Sequence, residues 1–125
     1  MSDNVFFVVE LAVGPGQADE LRSVMRDMVE ATRAEPGTLN YEWFVSADGT
    51  VCHIYERYAD PAAAVVHSAA FPPELMQRSQ AFRPTRLTAY GTMTEEIRAK
   101  RIDPLLVAVP GISLVILGPL GGFTR

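Results

Sequence analysis

These 125 residues predict a small α+β sandwich, an antiparallel four-stranded sheet with two helices on one face. Three observations carry the prediction. Val5–Ala34 reads as a strand running into a helix, and Thr50–Phe71 repeats that reading about half a domain later. Between them, Asp48-Gly49 separates two alternating runs, a strong hairpin signal. Neither strand–helix junction carries a Gly-rich phosphate loop, so the repeat is not that of a nucleotide enzyme.

Val5–Val13 is β-branched and aromatic, broken only by Glu10, and reads as a central strand. Gly14-Pro15-Gly16 ends it. Through Gln17–Glu35, Leu21, Val24, Met25, Met28, Val29 and Thr32 recur at spacings of three and four. That is one face of an amphipathic helix, with Asp19, Glu20, Arg26, Asp27 and Arg33 mostly outside it. Pro36-Gly37 stops the helix. Thr38–Ser46 and Thr50–Tyr58 form the hairpin. Asp60 caps a second helix, with Pro61 at its first position. That helix runs through Ala62–Ala70, breaks at Pro72-Pro73 and resumes to Phe82, where Arg83-Pro84 ends it. Thr85–Gly91 gives the fourth strand and Thr94–Lys100 a short polar helix. The order βαββαβ is the ferredoxin-like arrangement, and connection rules put both helices on one face of the sheet. Residues 1–125 form one domain, with core 5–91 and a C-terminal extension 92–125.

Composition narrows the function. Hydrophobic residues make up 48% and charged residues 21%, ordinary for a folded domain, and the net charge is −4. The densest basic cluster, Arg98–Arg101, reads as a solvated face, so no nucleic acid partner is expected. Cys52, the single cysteine, allows no internal disulfide and suits a cytoplasmic location. It has no positive neighbour to activate it and reads as inert. The Met-Ser-Asp-Asn start lacks the basic region of a signal peptide. Leu105–Leu117 is strongly apolar, but Pro110-Gly111 interrupts it well short of the ~20 residues that cross a membrane. It reads as strands or packing segments. His53 and His67 stand fourteen apart with no cysteine or carboxylate cluster around them, so no metal site is expected.

With Asp48-Gly49 as the turn, the hairpin pairs Phe44 with His53, Trp43 with Ile54, Glu42 with Tyr55, Tyr41 with Glu56 and Asn40 with Arg57. Alternation then sorts two surfaces. Leu39, Tyr41, Trp43, Val45, Cys52, Ile54, Glu56 and Tyr58 face the helices. Asn40, Glu42, Phe44, His53, Tyr55 and Arg57 face the open side, where the aromatic content calls for a cover. A second copy of the sheet is the economical one. On the helix side Glu56 is the anomaly, since a buried carboxylate needs a partner such as Arg86, a raised pKa or a wet cavity. His67 lies on the apolar stripe of the second helix, between Ala63 and Phe71, so it shares a cleft with Glu56.

The βαββαβ order and the Glu35-Pro36-Gly37-Thr38-Leu39-x-Tyr41 turn resemble the antibiotic biosynthesis monooxygenase superfamily, dimeric α+β barrels that include quinol monooxygenases. The His53-Ile-Tyr-Glu-Arg-Tyr58 strand, the inward His67 and the Gly118–Arg125 ending resemble one branch of it. The resemblance implies a homodimer closed through open sheet faces, with a pocket between sheet and helices in each protomer. It also implies oxidation of phenolic or anthrone-like substrates by O2 with no cofactor. That chemistry requires a base, donors for the developing anion and a dry pocket. His67 would be the base, oriented by Glu56. Trp43, Tyr41 and Tyr58 would donate, while Met25, Met28, Ile54, Phe71 and Phe82 would line the walls. A register slip of one would bring His53, Asn40 and Arg57 into the pocket instead; in register they form a polar dimer interface.

Structural roles compete for the same residues. His67 also reads as a packed core histidine, and Trp43, Tyr41 and Tyr58 as plain core aromatics. At the level of function, the alternative to a monooxygenase is a non-enzymatic dimeric barrel, stress-associated or sequestering an apolar small molecule. Heme degradation fits less well. The heme-degrading members resemble a pattern with an Asn in strand one and a Trp in helix two, and both are absent here.

Overall fold

The computed structural model describes residues 2–68 and 72–125. In it the chain runs through β1 (Val5–Ala12), α1 (Ala18–Arg33), β2 (Thr38–Val45), β3 (Val51–Tyr58), α2 (Pro61–Ser68), α3 (Pro73–Ser79) and β4 (Arg83–Tyr90). There follow α4 (Glu95–Ile97), a π-helical turn (Arg98–Ile102), α5 (Asp103–Ala108) and β5 (Ser113–Leu117). The sheet order is β2-β3-β1-β4-β5. Its first four strands are antiparallel, as expected, and β5 adds a parallel fifth beside β4. The sheet is therefore mixed. Within one chain it is open.

The β2–β3 pairs are those read from the sequence, from Asn40–Arg57 through Phe44–His53. The period-two alternation explains this, since a slip of one would turn Cys52, Ile54 and Tyr58 outward. Asp48 ties the turn with its carboxylate, accepting from Ser46 Oγ at 2.8 Å and from the Thr50 N–H at 3.1 Å. One expectation fails at the start of β2. The ladder skips Leu39 between Thr38 and Asn40, and this bulge leaves Leu39 46% exposed rather than facing the helices. Val45, at the strand's far end, is exposed as well.

Helix two is described over Pro61–Ser68, and the rest of its expected first part, 69–70, lies outside the described residues. Past Pro72 the helix resumes as α3 (Pro73–Ser79), which ends short of Phe82, and Arg83-Pro84 opens β4 instead of ending a helix. Pro84 is accommodated because the β1–β4 register shifts there, pairing Leu11 with Pro84 and Glu10 with Arg86. Thr85, between them, donates its hydroxyl to the Glu10 carbonyl at 3.2 Å. The apolar run before β5 splits at Pro110-Gly111 into α5 and β5. Among the described residues no helix is long and apolar enough to cross a membrane.

Two buried clusters form the core. One joins Leu21, Val24 and Met28 of α1 to Leu11, Cys52, Ile54, Leu75 and Phe82. The other joins Val5, Phe7, Tyr58 and Leu87 to Ile97 and Ile102 of the extension. Val9 packs against both. The opposite sheet face carries Phe6 edge-on to Tyr55 and to Tyr90 at 6.2 and 6.4 Å, with Phe44 more than half exposed.

A close approach sets α2. The Gly37 carbonyl accepts from the Ala59 N–H at 2.9 Å, and a Cβ at Gly37 would lie 2.6 Å from the Ala63 methyl. Gly37→Ala therefore forces α2 off the 35–38 turn and costs about 1–3 kcal/mol in denaturant unfolding. Gly118→Ala, with open space around its Cβ, leaves the midpoint unchanged.

Candidate functional site

Four ionisable side chains from four segments meet under the sheet. Glu56 comes from the helix-facing side of β3, where its neighbours Ile54 and Tyr58 are buried with it. His67 comes from α2, Glu35 from the turn after α1, and Arg101 from the π-helical turn. The Gly37–Ala63 contact draws α2 against that turn, which is why His67 meets Glu35.

His67 Nδ1 lies 2.8 Å from Glu35 Oε1, which also accepts from the Thr38 hydroxyl at 2.8 Å. A carboxylate only accepts, and each ring nitrogen faces one; in the neutral ring the proton goes to Nδ1, which has the shorter contact. Nε2 is 3.4 Å from Glu56 Oε1. Arg101 Nη2 donates to both Glu56 oxygens at 2.7 and 2.8 Å, and the Tyr58 hydroxyl donates to Oε1. The imidazole is held between the rings of Tyr41 and Tyr58, at 5.2 and 5.4 Å. Behind Arg101, the Phe7 ring lies 4.8 Å from its guanidinium carbon.

Burial sets the protonation of the cluster before charge does. It pushes Glu56 upward, but the Arg101 charge, His67 and the Tyr58 hydrogen bond outweigh it and hold the carboxyl below its usual range. Burial lowers the His67 pKa, and Arg101 adds to that against the pull of Glu56 and Glu35, so the imidazole is neutral near pH 7. Burial, then the Glu56 charge, raises both Tyr41 and Tyr58, which keeps them protonated donors. Burial likewise lifts the Cys52 thiol to about 11 and leaves it inert.

Three members of this cluster, Glu56, His67 and Arg101, border a cavity of about 400 Å³. Met28, Tyr41, Trp43, Ile54 and Phe82 line it, together with Glu56 and His67. Tyr58 does not; it is fully buried behind Glu56. Phe71 lies outside the described residues, and Met25 is not in the wall. Val9, Leu11, Met76, Pro84, Pro104, Leu105 and Ala108 complete the apolar lining. The Trp43 Nε1–H is buried in the wall without a hydrogen-bond partner among the described residues.

Two expectations need correction. The cation on Glu56 is Arg101, from a cluster read as a solvated face; its side chain is only 15% exposed. Arg86 instead faces Glu10 on the open side at 3.8 Å. Glu35, which the sequence presents only as part of a turn, stands against the ring together with Glu56, at 2.8 Å from Nδ1 against 3.4 Å from Nε2. His53, Asn40 and Arg57 stay on the open face. There His53 lies 3.4 Å from Glu10, Asn40 donates to Glu42 at 3.2 Å and Arg57 donates to Asn4 at 2.7 Å. No group of three His, Cys, Asp or Glu side chains suited to a metal occurs among the described residues.

Known proteins share this arrangement of elements. A sequence profile described as antibiotic biosynthesis monooxygenase matches residues 4–72. Rv0793 of Mycobacterium tuberculosis is 29% identical over 99 residues, spanning 76% of this chain and 97% of that protein. Its structure superposes with a TM-score of 0.59 at 26% identity, covering 74% of this chain and 97% of its own. The structure of MupZ from Pseudomonas fluorescens gives 0.76 and covers 100% of this chain and 91% of its own, at 18% identity. At that identity the fold is what is shared, extension included.

Arg101→Met strands an ionised carboxylate in the core. It lowers stability by about 3–5 kcal/mol in denaturant titration, and Glu56→Gln in the same chain restores part of that loss. Glu56 also sets an acid limit. Its folded pKa is depressed, so its contribution is complete above the unfolded carboxyl value of about 4.3 and is lost as pH falls below it.

Proposed function

The chain belongs to the antibiotic biosynthesis monooxygenase family, and we propose that it is a cofactor-independent monooxygenase oxidising a quinol or polycyclic phenol with O2. The observation that carries this reading is a neutral, oriented imidazole bordering an apolar cavity, beside donors that stay protonated. His67 Nε2 takes the phenolic or acidic C–H proton of the substrate, while Glu35 holds Nδ1–H and so fixes the ring. The Trp43 N–H and the Tyr41 hydroxyl offset charge on the resulting anion, and the apolar walls strengthen each contact.

The anion passes one electron to O2, giving a substrate radical and superoxide. These couple through a C–O bond, and the peroxide takes its proton back from His67. As His67 removes the remaining C–H proton of the oxygenated carbon, the O–O bond breaks; one oxygen remains as a carbonyl and the other leaves as hydroxide, which takes that proton and becomes water. The substrate loses two hydrogens and O2 is fully reduced, so no outside reductant is needed.

A second copy, paired through the open face of Phe6, Phe44, Tyr55 and Tyr90, would bury these aromatics and close the two sheets into the barrel that the family resemblance implies. One observation favours the alternative of a ligand-binding barrel without turnover. His67 is only 2% exposed and packed between two tyrosine rings.

O2 uptake with hydroquinones, naphthoquinols and anthrones separates the two. Wild-type protein consumes O2 above autoxidation, and His67→Ala lowers kcat/KM by roughly a hundred- to ten-thousand-fold. The His67 pKa is depressed, so the acid limb of kcat/KM falls below the ordinary value of about 6.5. Ligand-dependent stabilisation without uptake would establish the binding barrel instead.

A further inference from the structure

Glu56 lies within residues 4–72, the part of the chain that the family profile matches, but the cation that balances it does not. Arg101 comes from the extension, which is fastened to the core by Ile97 and Ile102, at 0% and 1% exposure against Phe7 and Tyr58. Those two isoleucines stand five residues apart. A regular α-helix would rotate one away from the other, whereas the π-helical turn over Arg98–Ile102 keeps both on the core. The same wide turn delivers Arg101 to Glu56. Three residues of the next turns, Pro104, Leu105 and Ala108, then line the same cavity as Met28, Trp43 and Phe82. Val107 points the other way and is 81% exposed.

Resting on the reading of this cavity as the reaction site, we infer that the extension is its specificity wall. Leu105 and Ala108 set how far a fused-ring ligand reaches, and Arg101 is the positioning residue that fastens the wall by its paired bonds to Glu56. Such a wall discriminates by length. A cavity of about 400 Å³ is at the small end of the range for ligand sites, so one enlarged side chain on the mobile-length axis of the ligand decides which ring system enters. Arg101 acts here through reach: its Nη2 alone meets both oxygens of the carboxylate, and a lysine ammonium, one atom nearer the backbone, would keep the charge without arriving there.

Trp43 is the chain's only tryptophan and lines this cavity, so its fluorescence reports occupancy without turnover. The probes are naphthoquinone and anthraquinone sulfonate, with two and three rings. Ala108→Phe should weaken anthraquinone sulfonate by about tenfold or more while naphthoquinone changes by less than about threefold. Val107→Phe, one residue away on the outer side, should leave both unchanged. Arg101→Lys should still bind both probes but with a smaller ratio between their affinities. Equal weakening of both probes by Ala108→Phe, the same effect from Val107→Phe, an unchanged ratio in Arg101→Lys, or no quenching of wild type by either probe would overturn the inference. O2 uptake is read separately. Its absence beside the expected binding pattern would remove the oxygenase and leave the wall standing.

Discussion

The Glu56 carboxylate, 3% exposed and ionised, constrains everything around it. Removed from water, such a group costs several kcal/mol unless donors replace its hydration. The donors come from distant points of the chain. Tyr58 is two residues along the strand and Arg101 forty-five residues on, while the His67 ring stands alongside. Meeting that need ties the hairpin to the second helix and to the extension. Well-packed apolar residues would serve stability equally well. The cluster instead borders a cavity, where charge has chemical use.

Burial gives each member of the cluster a different protonation state. Glu56 is held as an anion by Arg101, His67 is kept neutral, and Tyr41 and Tyr58 keep their protons. An acceptor nitrogen and several donors thus coexist within one hydrogen-bonded group, in walls dry enough to make each interaction count. Glu35 matters as much as Glu56 here, because it holds Nδ1 at 2.8 Å while Nε2 stands 3.4 Å from Glu56.

Much of this was legible in the sequence. Strand alternation has a period of two, so the Asp48-Gly49 turn was enough to set the β2–β3 register and to expose Glu56 as the polar residue among apolar ones. His67 followed from its helical stripe. Arg101 did not follow, because a run of basic residues is read locally as solvated, and the five-residue spacing of Ile97 and Ile102 matches no α-helical face. Glu35 was hidden in a Pro-Gly turn whose tertiary contact, Gly37 on Ala63, joins residues with no sequence pattern in common. The Leu39 bulge and the parallel pairing of β5 are likewise decided by contacts across the fold.

The state of His67 tests the account most directly. The chain has two histidines, so nitrogen-15 correlation spectra across pH, with His53→Gln to identify the signals, resolve the His67 tautomer and its titration. The account predicts a neutral ring at pH 7 with its proton on Nδ1, titrating below the ordinary histidine value of about 6.5. An imidazolium at pH 7, or a proton on Nε2, would contradict it.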